Sequence, residues 1–230
     1  MLCIAMGTYY RKHLLGPDLK RVYELASPRI RQYLEAEVLH VIERVRGAGR
    51  VLELGSGYGR VLAKVASHVG RAVGVDVSRP NLEFGVGFLR DFVNCDLLRM
   101  NAVRLAFKDA DFDATFCIQN GISAFRVDRH QLIAEALRVT RPGGNVLFST
   151  YSPRIWTDRL DWFRSQSRAG LLGELDETLS VNGVIVCKDG FRSTTVADEE
   201  LRTLFAEAGQ SARISEVDES SVFAEVVNEP

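Results

Sequence analysis

Apolar side chains recur as Ile30, Leu34, Val38, Val41, Ile42 and Val45, the spacing of one helix face. Ser27 and Pro28 read as the N-cap and first helical position, and Gly47 and Gly49 close the segment. The pattern then shortens. "RVLEL" (50–54) is an apolar run of strand length. Three glycines at alternate positions follow, Gly55, Gly57 and Gly59, and then Val61, Leu62, Val65 and Val69 on one helix face up to Gly70. "AVGVDV" (72–77), "VNCDLL" (93–98), "FDATFCI" (112–118) and "NVLFSTY" (145–151) repeat the strand signature. Between them a helix starts at Ser78 and Pro80, weakened by Gly85 and Gly87. Another starts at Asp128, which forms a capping-box pair with Gln131, and "RPGG" stops it. Strand and helix alternating at this pitch predict a parallel sheet covered on both faces, with right-handed crossovers.

After Tyr151 the rhythm changes. "RIWTDRLDWFRSQS" (154–167) reads as an amphipathic helix, "VIVCKDGFRSTTV" (184–196) as a hairpin turning at Asp189-Gly190, and "ADEELRTLFAEAG" (197–209) as a last helix. "SARISEV" and "SVFAEVV" read as closing strands. No linker breaks the chain, so residues 1–230 are expected to form one domain, with 1–26 as a lid and 151–195 as a substrate-side elaboration.

Composition narrows the functions. The formal net charge is −1 with no basic stripe, so a nucleic-acid partner is not expected. Cysteines at 3, 95, 117 and 187 form no C-x-x-C pair, which predicts neither a metal site nor a disulfide framework and suits a reducing cytoplasm. No window nears the ~20 apolar residues of a membrane span. The amino terminus lacks the basic start and apolar length of a signal peptide.

A strand, a glycine loop and a helix start together make a site for a polar or anionic group, because loop N–H groups point outward where side chains are missing. A dinucleotide site would want its third glycine at 60, where Arg60 stands; the spacing here is G-x-G-x-G, preceded by Glu53. Asp76 at the end of the next strand can accept from both hydroxyls of a ribose. Asp96, read as ending the third strand, can accept from an exocyclic amino group. No G-K-[ST] follows the loop, so a polyphosphate is not indicated.

Glu53, "GSGYG" (55–59), Asp76 and the acid of "NCDLL" resemble the successive motifs of class I S-adenosylmethionine-dependent methyltransferases. "RVTRPGGNVLFSTYS" and "DEELRTLFAEAG" resemble that superfamily's fifth-strand region and last helix, so the likeness runs from about residue 27 to the end. It implies a Rossmann-like α/β fold with a seven-stranded, mostly parallel sheet and helices on both faces, here with an N-terminal helical lid and an insertion after the fifth strand. It implies S-adenosyl-L-methionine as cofactor. Gly55, Ser56, Gly57 and Gly59 would line its methionine part, and Glu53 would orient the loop and receive the amino group. Asp76, with Val77 beside it, would take the ribose, and Asp96 with Leu97 the adenine edge. Gln119 and Asn120 either sit under the methyl-donor side or hydrogen-bond their own loop.

Methyl transfer from a sulfonium needs positioning more than chemistry, so no catalytic residue is marked. "QNGI" stands where amide- and adenine-methylating relatives carry [DN]-P-P-Y, and no second acid supports a catechol-type metal. A small-molecule acceptor is therefore expected, with a homodimer left open. Tyr9, Tyr10, Tyr151 and Trp156 are candidates for an aromatic wall suited to an apolar body or a cationic amine, and Arg29 and Arg154 for holding a carboxylate. The same aromatics can equally seal the sheet edge. Two other classes use such a sheet. A nicotinamide-dependent dehydrogenase is disfavoured by Arg60 and by the lack of a Tyr-x-x-x-Lys or His/Asp arrangement. A non-catalytic binding protein is disfavoured by the intact loop and acids.

Overall fold

The computed structural model describes Tyr9 and residues 13–229. Eight helices and nine strands follow in this order among the described residues: α1 Pro17–Glu24, α2 Pro28–Val45, β1 Arg50–Leu54, α3 Arg60–Val65, β2 Arg71–Asp76, α4 Arg79–Phe88, β3 Cys95–Arg99, β4 Phe112–Cys117, α5 Gly121–Ala124, α6 Arg129–Val139, β5 Thr140–Tyr151, α7 Trp156–Arg168, β6 Ile185–Val186, β7 Arg192–Ser193, α8 Asp198–Glu207, β8 Arg213–Val217 and β9 Ser221–Val227. Seven strands form one sheet in the order β3-β2-β1-β4-β5-β9-β8. β9 alone pairs antiparallel with both neighbours; the other pairings are parallel. Strand order reverses between β1 and β4, and the crevice outside their carboxyl ends is where ligands of open α/β sheets bind.

The period-2 pattern decides which helix meets which face. On β1, Val51 packs against α2 and α3, while Leu52 and Leu54 pack on the other side with α6 and α8. On β5, Leu147 faces α2, whereas Val146 and Phe148 face α6 and α8. By the same alternation Ser149 and Tyr151 lie on the α2 side and Thr150 opposite, which sets up the site. β5 begins at Thr140, earlier than "NVLFSTY" suggests, and its ladder with β4 is irregular between Phe112 and Ala114. Gly85 admits a close approach: a Cβ there would lie 2.4 Å from Leu97 Cδ1. The glycine that weakens α4 intrinsically is what lets it lie against β3.

A third apolar cluster stands apart from the two sheet faces. It joins α1, the start of α2, Tyr151, α7 and residues 171–191, including the β6–β7 hairpin that turns at Asp189-Gly190. Apart from the start of α2, its residues come from within the ranges 1–26 and 151–195.

Candidate functional site

At β1 the chain leaves the sheet through Gly55, Gly57 and Gly59, whose φ angles are 77°, 56° and 86°. Side chains tolerate that region poorly, and space is also short: a Cβ on Gly55 would lie 2.3 Å from Phe125 Cζ. The loop is held by its neighbours. Gly55 and Ser56 N–H donate to the Val75 carbonyl at 2.8 and 3.0 Å. Asp76 Oδ2 accepts from Gly57 N–H at 2.9 Å, and its Oδ1 accepts from Ser78 N–H at 2.7 Å. Asp76 thus fixes both the loop and the entry to α4, and burial raises its pKa despite these bonds.

A cavity of about 320 Å³ opens above the loop. Its floor comes from strand ends: Glu53, Asp76, Val77, Ser78, Met100, Asn101 and Gln119. One side is closed by α1, whose Leu19, Val22 and Tyr23 line it. That helix is docked at three points: Gly16 N–H donates to Asn81 Oδ1 at 2.6 Å, Trp162 Nε1 to the Val22 carbonyl at 3.0 Å, and Tyr23 Oη to Gln119 Oε1 at 3.2 Å. The far end is aromatic, with Tyr33, Tyr151, Trp162, Phe163 and Phe191.

Two opposite charges meet at the loop end. Glu53 is 4% exposed and its Oε2 makes no hydrogen bond. Burial pushes its carboxyl up to about 8, with Arg60 pulling it down and Asp76 pushing it further up. Arg60 lies over the Tyr23 ring at 4.5 Å, and its buried Nε and Nη2 are without partners. An orphaned carboxylate oxygen beside orphaned guanidinium N–H groups fits the ammonium and carboxylate of an α-amino acid. The methionine end of S-adenosylmethionine is such a group.

Most of the expected residues gather here: Glu53, Gly55, Ser56, Gly57, Asp76, Val77, Gln119 and Tyr151 line the cavity. Others do not. Asp96 is the second residue of β3, level with Val73 rather than Asp76, and it pairs with Arg71 at 2.5 Å. The strand runs on to Arg99, and Asn101 and Ala102 beyond its end line the cavity, whereas Asp96 and Leu97 do not. Leu97 packs against α4 instead. Gly59 caps α3 behind the loop, against Leu89. Asn120 is buried: its Nδ2 donates to the Thr194 carbonyl and its Oδ1 accepts from Thr150 Oγ1. These bonds hold Gln119 and Asn120, at φ 56° and 61°, in a tight left-handed turn.

The aromatic candidates divide as well. Tyr9 stands behind the cavity, edge-on to Phe191 with its hydroxyl donating to Asp189. Trp156 does not line the cavity, and Tyr10 lies outside the described residues. Arg29 pairs with Asp218, and Arg154 with Glu219 and Glu216, so neither is held ready for a ligand carboxylate. Tyr23, Tyr33, Arg60, Asn101, Trp162, Phe163 and Gln166 were missed as site residues. They come from segments far apart in sequence, and only one local sign existed. Glu37 interrupts the apolar stripe of α2 and is fully buried.

Residues 51–144 match the methyltransferase-domain family. The chain is 35% identical over 136 residues to the methyltransferase GfsG of Streptomyces halstedii, covering 56% of this chain and 46% of that protein. It is 32% identical over 119 residues to the ubiquinone/menaquinone biosynthesis C-methyltransferase UbiE of Vibrio campbellii, covering 48% and 44%. The chain therefore spans less than half the length of these relatives. Among solved structures it resembles the N-methyltransferase NodS of Bradyrhizobium japonicum in complex with S-adenosyl-l-homocysteine, with a TM-score of 0.60 at 17% identity over 94% and 98% of the chains. It also resembles a SAM-dependent methyltransferase from Aquifex aeolicus, with a TM-score of 0.63 at 15% identity over 91% and 97%. Residues 51–144 thus match a methyltransferase domain, and the sheet order shares the fold of these two solved structures.

Proposed function

We propose that the protein transfers a methyl group from S-adenosyl-L-methionine to a small-molecule acceptor. One observation carries the reading: the cavity joins an amino-acid-binding end, built by Glu53, Arg60 and the glycine loop, to an aromatic end. Glu53 and Arg60 would hold the ammonium and carboxylate, Asp76 the ribose, and Asn101 with Ala102 the adenine edge. When bound, the cofactor supplies an activated methyl group. The chain has to align the acceptor with it and keep water out. α1 serves the second task, since Leu19 and Val22 cover the loop from one side. Cys95, Cys117 and Cys187 are free thiols, which supports a cytoplasmic setting. No helix among the described residues is long and apolar enough to cross a membrane.

Titration calorimetry with S-adenosylhomocysteine and with NADH tests the cofactor. Binding of the first alone is expected, and binding of NADH alone would overturn the reading. A metabolite-pool screen with methyl-labelled cofactor then tests the acceptor. Label confined to RNA or protein fractions would overturn the small-molecule claim.

A further inference from the structure

The aromatic end of the cavity contains polar groups that methyl-donor binding does not use. Tyr33 lines it and is fully buried, and its hydroxyl faces Glu37 and Tyr151 without a close hydrogen bond to either. Its ring lies 5.4 Å from that of Tyr151, which lines the same wall. One helical turn further along α2 is Glu37, also fully buried. Glu37 Oε1 accepts from Ser149 Oγ at 2.6 Å, and Ser149 Oγ in turn accepts from Gln119 N–H at 2.9 Å. Glu37 Oε2 has no close hydrogen bond, and the Tyr33 hydroxyl is the group that interacts with this carboxyl from the cavity side. Gln166, across the cavity on α7, is 2% exposed and its Nε2 is also unpartnered. A buried polar atom without a hydrogen bond calls for a partner, which a ligand group or a water can supply.

The lining acids argue against a cationic ligand at this end. The only acids lining the cavity, among the described residues, are Glu53 and Asp76, and both belong to the loop end. A cationic amine has no carboxylate in the aromatic wall itself. The walls are rings, so a flat apolar body fits. Tyr33 can accept a proton from such a body and donate its own, and Gln166 can donate to a second oxygen.

We propose that Tyr33, backed by Glu37, is the proton-accepting end of a subsite for flat, uncharged acceptors bearing a phenolic or enolic hydroxyl. The inference rests on the methyl-transfer reading for its chemistry. The acceptor's O–H proton moves to the Tyr33 oxygen as the Tyr33 proton moves to Glu37 Oε2. The acceptor oxygen forms the new O–C bond while the S–C bond of the sulfonium donor breaks, its electron pair staying on sulfur. The products are a methyl ether, a neutral thioether and protonated Glu37. Tyr33 is the catalytic residue, and Glu37 acts through it. Burial holds Glu37 at about 7, against the opposing pull of Ser149, Tyr33 and Arg60. That value suits a group that must take up a proton near neutrality. The other titratable neighbours are Cys117 on β4, Tyr23 on α1 and Tyr151 on β5, with Arg159 of α7 over the Tyr151 ring.

para-Nitrophenol is the probe, because its anion has its own absorption band. Below the probe's own pKa, the wild-type protein is expected to generate that band on binding. Glu37→Gln keeps an acceptor for Ser149, and Tyr33→Phe keeps the ring. Both are expected to lower the bound anion by about tenfold or more, with S-adenosylhomocysteine affinity changed by less than about twofold. That unchanged affinity also shows that the variants are folded. The proposal is overturned if the probe does not bind, binds without ionising, or ionises equally in Glu37→Gln. If the probe ionises as expected while S-adenosylhomocysteine fails to bind, the subsite stands and the methyl-transfer reading falls.

Discussion

Binding of S-adenosylhomocysteine should strengthen as pH rises from 6 to 8, because a proton must leave Glu53. In the free protein burial keeps that carboxyl protonated up to about 8. A ligand ammonium needs the carboxylate form, so binding below this pH releases a proton. Each pH unit below the folded value then lowers affinity by a factor of ~10, about 1.4 kcal/mol. From pH 8, where the carboxyl is half ionised, to pH 6 the loss is about fiftyfold, or ~2.3 kcal/mol. Above that range the ligand's own α-amino group, with an ordinary pKa of about 7.7–8.0, loses its charge and affinity turns over. Asp76 is also raised by burial, and Glu37 titrates at about 7 behind the same cavity, so the source of the slope must be isolated. Glu53→Gln does so by fixing a neutral amide in place. The assay is titration calorimetry at pH 6, 7 and 8 in two buffers of different ionisation enthalpy, which counts protons. Close to one proton should be released at pH 6 by the wild type and almost none by Glu53→Gln. Equal wild-type affinity at pH 6 and pH 8, or the same slope in the variant, would refute the reasoning.

The same raised values at Glu53 and Glu37 make the unliganded fold bind more protons than the unfolded chain. Its stability should therefore fall as pH rises from about 4.5 through 7 to 8, and saturating S-adenosylhomocysteine should flatten the fall; a melting temperature rising over that window would contradict it. Asp76→Asn should weaken S-adenosylhomocysteine binding by roughly 1.5–3 kcal/mol, since a charged acceptor of the Gly57 and Ser78 N–H groups is lost; calorimetry within twofold of wild type would remove Asp76 from the site. Gly57→Val should abolish binding and leave the circular dichroism spectrum intact, because φ is 56° and the new Cβ would lie 3.0 Å from Leu19 Cδ2; normal binding would disprove the close approach. Asp96→Ala should leave cofactor affinity unchanged and Asn101→Ala should weaken it; the reverse order in parallel titrations would restore Asp96 to the adenine edge.

The glycine loop and Asp76 were legible because one local pattern, strand then loop then helix, specifies them. Asp96 was misplaced for an equally local reason. "NCDLL" carries an acid near the end of an apolar run, and an acid ends β2 in the same way. But β3 is an edge strand, so its apolar pattern fades while the strand continues through the part-exposed Leu98 to Arg99. Asn120 was ambiguous in sequence because its partners, Thr150 and Thr194, arrive from other elements. The aromatic end was the least legible part. Tyr33 and Tyr151 meet across α2 and β5, and Gln166 reaches them from α7, so no window of sequence contains the subsite. Glu37 was readable in principle, as an acid at a position where helical spacing demands an apolar residue.

The docking of α1 on α7 has a consequence for how the proposed acceptor end can change. The methyltransferase-domain match covers 51–144, whereas Tyr23, Tyr33, Tyr151, Trp162, Phe163, Gln166 and Phe191 all lie outside it. On the proposed reading, the residues that would hold the donor and those that would hold the acceptor lie in separate stretches of the sequence, and the second can drift while the first stays fixed. Yet the two outer stretches are not independent of each other. The indole N–H of Trp162 closes on the backbone of α1 at Val22, and both contribute to one apolar cluster. A graft that moves only the segment after Tyr151 into a relative would arrive without the helix it was shaped against. On that reading, specificity would travel as a matched pair of segments, one from each flank of the matched domain.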